Sequence, residues 1–249
     1  MIIKGAGNVF LQKNLLKWFN MPNNKTFVIS LGGSVMCPDK LDEKFIKNFR
    51  DFILRFVKNG YKFIIITGGG KLARQYQTAG ANIAKITPAE KDWLGIEATK
   101  LNALLLKIIF QQKAHPQLLD EKGAVKNFGK YPIVVGCGWA PGWSTDYIAV
   151  QAAVNFKIRA VINLGKPHFV YTANPDKDPT AKPLTQVSWQ DYFKIIPKKW
   201  TPGLSTPFDP TASRLAQKNK ITVIVADGCN LPNFQKILNN QKFKGTTIL

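Results

Sequence analysis

Cysteine and histidine are scarce: three and two in 249 residues. Cys37, Cys137 and Cys229 lie far apart and form no C-x-x-C pair, which argues against a zinc site or a disulfide framework and reads as reduced thiols. No apolar run approaches the roughly 18 residues that a membrane span needs. The opening residues, MIIKGAGNVF, lack the unbroken apolar core and small-residue cleavage site of a secretory signal. A cytoplasmic protein with no membrane association is therefore expected. Internal repeats and low-complexity segments are also missing. Acidic residues are few, 15 against 35 lysines and arginines, for a formal charge of +20. That excess invites a polyanionic partner. Its lysines are nevertheless spread along the chain, so solvated helix faces explain them equally well, and free nucleotides are polyanions as much as RNA is.

Five short β-branched runs are present: Thr26–Leu31, Lys62–Thr67, Tyr131–Val135, Arg159–Leu164 and Ile221–Ala226. Each is apolar throughout rather than alternating, as expected of strands covered on both faces of a mainly parallel sheet. Between them, Leu41, Phe45, Ile46, Phe49, Phe52, Ile53, Phe56 and Val57 repeat at three and four, and Asn59-Gly60 supplies a stop. A second helix is predicted over Leu94–Phe110, and a third starts at Asp209-Pro210, a capping aspartate followed by proline at the first helical position. The alternation predicts an α/β fold: three layers, α/β/α, around a mainly parallel central sheet. Residues 1–25 stand apart as an extension in which LLKWFN could form a short amphipathic helix and Met21 could be an alternative start; residues 26–249 form a single domain.

Two strands run into glycine, at Leu31-Gly32-Gly33-Ser34 and Thr67-Gly68-Gly69-Gly70-Lys71. Where a strand hands over to a helix, glycine lets the backbone approach a ligand, and the unpaired amides suit an anion such as phosphate. A tight turn needing positive φ would explain either motif alone. Gly68, Gly70 and Ala73 satisfy G-x-G-x-x-G/A, but no second strand ending in an acid follows about 20 residues on, so the dinucleotide reading fails. A G-x-x-x-x-G-K-[ST] loop and the protein-kinase H-R-D and D-F-G set are missing as well. A third glycine-rich stretch runs from Gly136 to Asp146 and ends in hydroxyls and a carboxylate ahead of a helix. Asp146 could hold a metal or steer a lysine, or Ser144 to Asp146 could simply cap the helix. Trp139 and Trp143 could pack internally or shelve a base.

Seven motifs then occur in order: Leu31-Gly-Gly-Ser34; Gly68-Gly-Gly-Lys-Leu-Ala-Arg74; Asp92 through Ala103; Pro141-Gly-Trp-Ser-Thr-Asp146; Val170-Tyr-Thr-Ala-Asn-Pro175 with Asp178-Pro179; Pro207-Phe-Asp-Pro210; and Gly245-Thr-Thr-Ile248. Over residues 26–249 the chain resembles the amino acid kinase family, and within it the uridylate (UMP) kinase branch of archaea and small-genome bacteria. The resemblance implies transfer of the ATP γ-phosphoryl group to UMP with Mg²⁺, a step of pyrimidine nucleotide biosynthesis, in a homo-oligomer that is a hexamer in many relatives. It implies an acceptor half over about 26–158 and an ATP half over about 159–249. Gly33 and Ser34 would touch phosphates and Gly69 the UMP, while Gly70 and Arg74 would meet phosphate oxygens between donor and acceptor. Asp92 would accept from the UMP ribose, and the loop Trp139, Ala140, Pro141, Gly142, Trp143, Ser144, Thr145 would wrap uracil and its phosphate. Asp146 would organise the reacting centre; Gly165, Tyr171 and Asn174 would line the ATP site.

Departures from the family pattern stand out. Many members carry a lysine where this chain has Ser30, so Lys71 or Lys166 would supply that charge. At Lys166-Pro-His-Phe169 an expected aspartate has become His168, and a second has become Asn174. Both changes remove negative charge beside the donor. An isolated histidine reads more readily as structural than as a metal ligand, and His115 reads as a loop residue. Two alternatives stay open: the same fold phosphorylating a carbamate, an acylglutamate or isopentenyl phosphate, or a nucleotide- or nucleic-acid-binding protein that has lost catalysis.

Overall fold

The computed structural model describes residues 25–166, 168–199 and 206–249. The proposed amphipathic stretch and the question of Met21 lie outside the described residues. Strand β1 (Thr26–Leu31) leads into a one-turn helix α1 (Gly33–Met36) and then α2 (Glu43–Lys58). Strand β2 (Lys62–Thr67) is followed by α3 (Gly70–Ile83) and the long α4 (Pro88–Phe110). Then come β3 (Ile133–Gly136), α5 (Thr145–Asn155) and β4 (Ala160–Gly165). A small antiparallel pair, β5 (Val170–Tyr171) with β6 (Pro183–Leu184), precedes β7 (Gln186–Val187) and α6 (Trp189–Ile195). The chain closes with α7 (Pro210–Lys218), β8 (Thr222–Asp227), α8 (Leu231–Leu238) and β9 (Thr246–Ile248).

The central sheet runs β3-β2-β1-β4-β8-β9-β7, parallel throughout except where β9 pairs antiparallel with β8. Its apolar strands are buried on both sides, as their unbroken runs predict. Phe27, Ile29, Phe63, Ile65, Ile162 and Ile224 face one layer, packed with Phe49 of α2, Leu106 of α4 and Phe234 of α8. Val28, Ile64, Val134, Val161 and Val223 face the other, with Ile148 and Ala152 of α5, Tyr192 of α6 and Ala212 of α7. Every second residue changes face, so the two cores are built from the same strands.

Local chemistry sets the helix limits. Asp42 caps α2 by accepting from the Phe45 amide at 2.8 Å, which leaves Leu41 ahead of the helix and 43% exposed. Gly60, at φ +83°, turns the chain into β2. Helix α4 begins six residues before the predicted Leu94 because Thr87 and Glu90 form a reciprocal capping box with Pro88 at the first position. Asp209 caps α7 as expected, its Oδ1 accepting from the Thr211 and Ala212 amides. The last two strands of the sheet, β9 and the edge strand β7, have no counterpart among the predicted strands.

Candidate active site

In this strand order β1 and β4 are neighbours from which the chain departs to opposite sides, toward β2 and toward β8. The carboxyl ends of such a pair leave a crevice that the crossing connections cannot fill. Here the crevice is a cavity of about 160 Å³ lined by Ser30, Ser34, Asp146, Asn163, Lys166 and Thr206 among others. The turn after β1 is pinned there by the Gly32 amide donating to the Leu164 carbonyl at 2.8 Å.

The first glycine turn lines this cavity through Gly32 and Ser34, and the second rests on the first. A Cβ on Gly33 would stand 2.0 Å from the Gly70 nitrogen, and one on Gly68 would stand 2.4 Å from the Gly33 nitrogen. Gly70 adopts φ +64° and would push a Cβ to 2.3 Å from the Gly33 carbonyl oxygen. The glycines therefore answer to two demands, backbone contact between the turns and the left-handed conformation at Gly70. Two amides are spent on the contact: Gly68 donates to the Leu31 carbonyl and Lys71 to the Cys37 carbonyl, both at 2.9 Å. Those of Gly33 and Ser34, at the start of α1, donate to no group among the described residues, as helix starts leave them.

Helix α4 holds the second turn from behind. The Asn102 amide donates to the Gly68 carbonyl at 2.8 Å. Thr67 donates its hydroxyl to the Thr99 carbonyl at 2.9 Å, and the Thr99 hydroxyl accepts from the Gly138 amide at 2.9 Å. Thr99 and Asn102 thus join the turn after β2 to the turn after β3. Neither was singled out from sequence; an asparagine and a threonine three apart on an otherwise apolar helix face were the available signal.

Asp146 sits in the first turn of α5, which Ser144 caps by accepting from the Tyr147 amide at 3.1 Å. The capping reading is right for Ser144, whereas Thr145 and Asp146 line the cavity. Asp146 Oδ1 accepts from the Ser30 hydroxyl at 2.8 Å and from the Asn163 amide at 3.4 Å, and Oδ2 accepts from the Asp209 amide at 3.3 Å. Burial, and then the charge of Asp209, push the Asp146 carboxyl up to about 7, against the opposing hydrogen bonds from Ser30 and from the Asp209 backbone. Asp209 itself is 3% exposed, with Oδ2 unpaired. Asn163 also donates to the Pro207 carbonyl at 2.9 Å, tying β4 to the segment that leads into α7.

On the flank of the site, Asp92 of α4 accepts from the Gly142 amide at 2.6 Å, and Gly142 takes φ +85°. Burial raises the Asp92 carboxyl and that amide opposes the rise. Trp139 and Trp143 meet edge to face at 6.4 Å, and Trp143 leans on Tyr147 at 5.1 Å. Both indoles are partly buried against the second core, so at least part of each packs.

Other expected site residues stand further out. Arg74 is exposed on α3, and neither it nor Lys71 belongs to the cavity lining. Tyr171 lies in the small β5–β6 pair. Asn174 is exposed, and its side-chain oxygen accepts from the Asp176 amide at 3.0 Å, closing its own turn. His168 is not isolated: Nε2 lies 3.6 Å from Asp227 Oδ2. His115 is a loop residue whose Nδ1 meets the Gln117 backbone and whose ring meets Tyr131. Among the described residues no group of three or more His, Cys, Asp or Glu could hold a metal, and no helix is long and apolar enough to cross a membrane.

Comparison with known proteins places this geometry. Residues 25–227 match the amino acid kinase family. The uridylate kinase of Methanocorpusculum labreanum is 32% identical over 225 residues, covering 89% of this chain and 94% of that protein. That of Pyrococcus abyssi is 32% identical over 224 residues, covering 89% and 98%. The crystal structure of uridylate kinase from Archaeoglobus fulgidus superposes with a TM-score of 0.76 at 29% identity, covering 90% of this chain and 99% of that one. With the family matched over most of its length and the fold shared with a solved member, this chain belongs to the amino acid kinase family.

Proposed function

We propose that the chain is a nucleoside monophosphate kinase that transfers the γ-phosphoryl group of ATP to UMP, giving UDP and ADP. The observation that carries the reading is that the first glycine turn, the start of α5 with Asp146, and Lys166 line one cavity at the carboxyl ends of β1 and β4, with the second glycine turn packed against the first. The similarity to archaeal uridylate kinases supports the choice of acceptor.

Phosphoryl transfer asks a protein to hold two polyanions in line and to neutralise the charge that moves between them. In this assignment the unpaired amides of Gly33 and Ser34 receive donor phosphate oxygens, and Gly69 and Gly70 form the floor between donor and acceptor. Asp92 takes the UMP ribose hydroxyls, and the loop Trp139–Thr145 closes over uracil and its phosphate. Lys166 brings a cation to the cavity wall, with Lys71 and Arg74 on the acceptor side. Gly165, Tyr171 and Asn174 serve the ATP half, about residues 159–249. Magnesium enters as part of the MgATP substrate; the wall offers hydroxyl and carboxylate oxygens, from Ser30, Ser34, Thr145 and Asp146, as suits a hard cation carried on phosphates.

The same reading makes the protein a cytoplasmic enzyme of pyrimidine nucleotide biosynthesis and a homo-oligomer, with a hexamer as the expected state. Helix α4 supports self-association, since Leu101, Leu104 and Ile108, spaced at three and four, are 58%, 39% and 60% exposed. Light scattering measures the oligomer. A coupled assay with MgATP and each nucleoside monophosphate, alongside a carbamate, an acylglutamate and isopentenyl phosphate, tests the activity. Turnover with UMP above all others is expected. No turnover with any acceptor, together with RNA retention that falls steeply with salt, would replace the kinase by a nucleic-acid-binding protein.

A further inference from the structure

Ser30 brings no cation to the centre of the cavity, and Lys166 is the cationic residue that the described lining contains. Lys166 is carried on the stretch that leaves β4, and that stretch touches the turn leaving β8 on both sides of the lysine. Before it, Gly165 stands in register with Asp227, and the Gly165 carbonyl accepts from the Gly228 amide at 3.3 Å. After it, His168 Nε2 lies 3.6 Å from Asp227 Oδ2. The other carboxylate oxygen, Oδ1, accepts from the Cys229 amide at 2.9 Å, so the turn itself fixes the acid that faces the histidine. Charges converge on this point: the Cys229 thiol is raised by burial first and by Asp227 second, with Lys166 opposing them.

We propose that His168 and Asp227 form a clamp that positions Lys166 at the cavity wall. Both are positioning residues, acting through the lysine and not on substrate. The clamp concerns the placement of the lysine; only its effect on turnover rests on the kinase reading above. His168 and Asp227 are 52% and 21% exposed at their side chains, so the pair belongs to the weak, solvent-screened class. An effect of about twofold to fivefold on turnover is the appropriate scale for such a pair.

The test uses the full chain with His168→Ala, Asp227→Asn, the double variant and His168→Lys, which keeps a nitrogen donor opposite Asp227. Turnover and KM for UMP are measured, and the rate of acylation at Lys166 by an amine-reactive ester is followed by peptide mass spectrometry with no substrate present. Each single variant should lower kcat about twofold to fivefold, the double no further than either single, with KM for UMP unchanged. His168→Lys should recover at least half of the loss, and the acylation rate should shift in the same variants. Thermal melts within a few degrees of the wild type guard against misfolding. Additive single effects, a Lys variant as poor as the Ala variant, or one acylation rate for all would each overturn the clamp. Should the wild type phosphorylate nothing while acylation still tracks the pair, the clamp stands and the kinase reading falls.

Discussion

The raised Asp146 carboxyl gives the ligand-free protein a pH dependence of calculable sign. Its value is about 7 in the folded chain against an ordinary 3.8. Between those values the folded state holds a proton that the unfolded state has released, so stability must fall as pH rises through the window and level off above about 7. Three units at 1.36 kcal/mol each set an upper limit of about 4 kcal/mol. Because the carboxylate borders a cavity that water can enter, about half of that, on the order of 2 kcal/mol, is the expected loss. Asp146→Asn removes the titration while keeping an acceptor for the Ser30 hydroxyl. Urea unfolding of both proteins without nucleotide, from pH 5 to pH 8.5, isolates the effect in their difference. The variant should gain on the wild type as pH rises, and the difference between them should become constant above about pH 8. A difference that is flat across the range, or that grows toward acid, would refute the reasoning.

Three further expectations follow from the turns and the charges. Gly33→Ala drives a Cβ into the Gly70 nitrogen and should destabilise by about 1–3 kcal/mol or more, read by urea midpoint, with turnover falling as the two turns separate. Lys166→Ala should lower kcat more than Lys71→Ala, since Lys166 lines the cavity and Lys71 does not; steady-state kinetics in which both variants keep full turnover would assign the neutralising charge elsewhere. Asn102→Ala orphans the buried Gly68 carbonyl and should cost about 1–3 kcal/mol in chemical unfolding, without altering the electrostatics of the cavity.

The layers of the fold were legible because its strands are covered on both faces. A run such as KFIIIT needs no partner to be recognised, and β1 and β2 occupy the predicted residues. Strands β9 and β7 were not legible. Thr246-Thr247-Ile248 is short and rich in hydroxyls, and it becomes a strand only because β8 and β7 lie on either side. The start of α4 was written in Thr87-Pro88-Ala89-Glu90, a capping box with proline at the first position, ahead of the apolar run from which the helix was read. Within the site, local motifs announced the glycine turns but not why each glycine is needed. Spacing along the chain cannot reveal that Gly33 and Gly70 touch across the sheet. Nor can it pair Asn163 with Pro207, 44 residues away, or bring Asp209 beside Asp146.

Ser30 shows how one replacement alters the charge balance of such a site. It is 2% exposed, set between Ile66 of β2 and Asn163 of β4, and its hydroxyl can offer Asp146 a hydrogen bond but no charge. Asp146 therefore lies beside Asp209 with no cation between them among the described residues, and burial first and the neighbouring charge second raise its carboxyl toward the protonated form. Two acids close together without a lysine would repel an incoming triphosphate; one of them protonated repels it less. On the assignment proposed above, the proton at Asp146 and the ammonium of Lys166 would divide between them what a single buried lysine would otherwise supply. The proton is lost as pH rises and the ammonium depends on where its loop is held. A site balanced in this way is more sensitive to pH and to the β4–β5 connection than one with a cation fixed on a central strand.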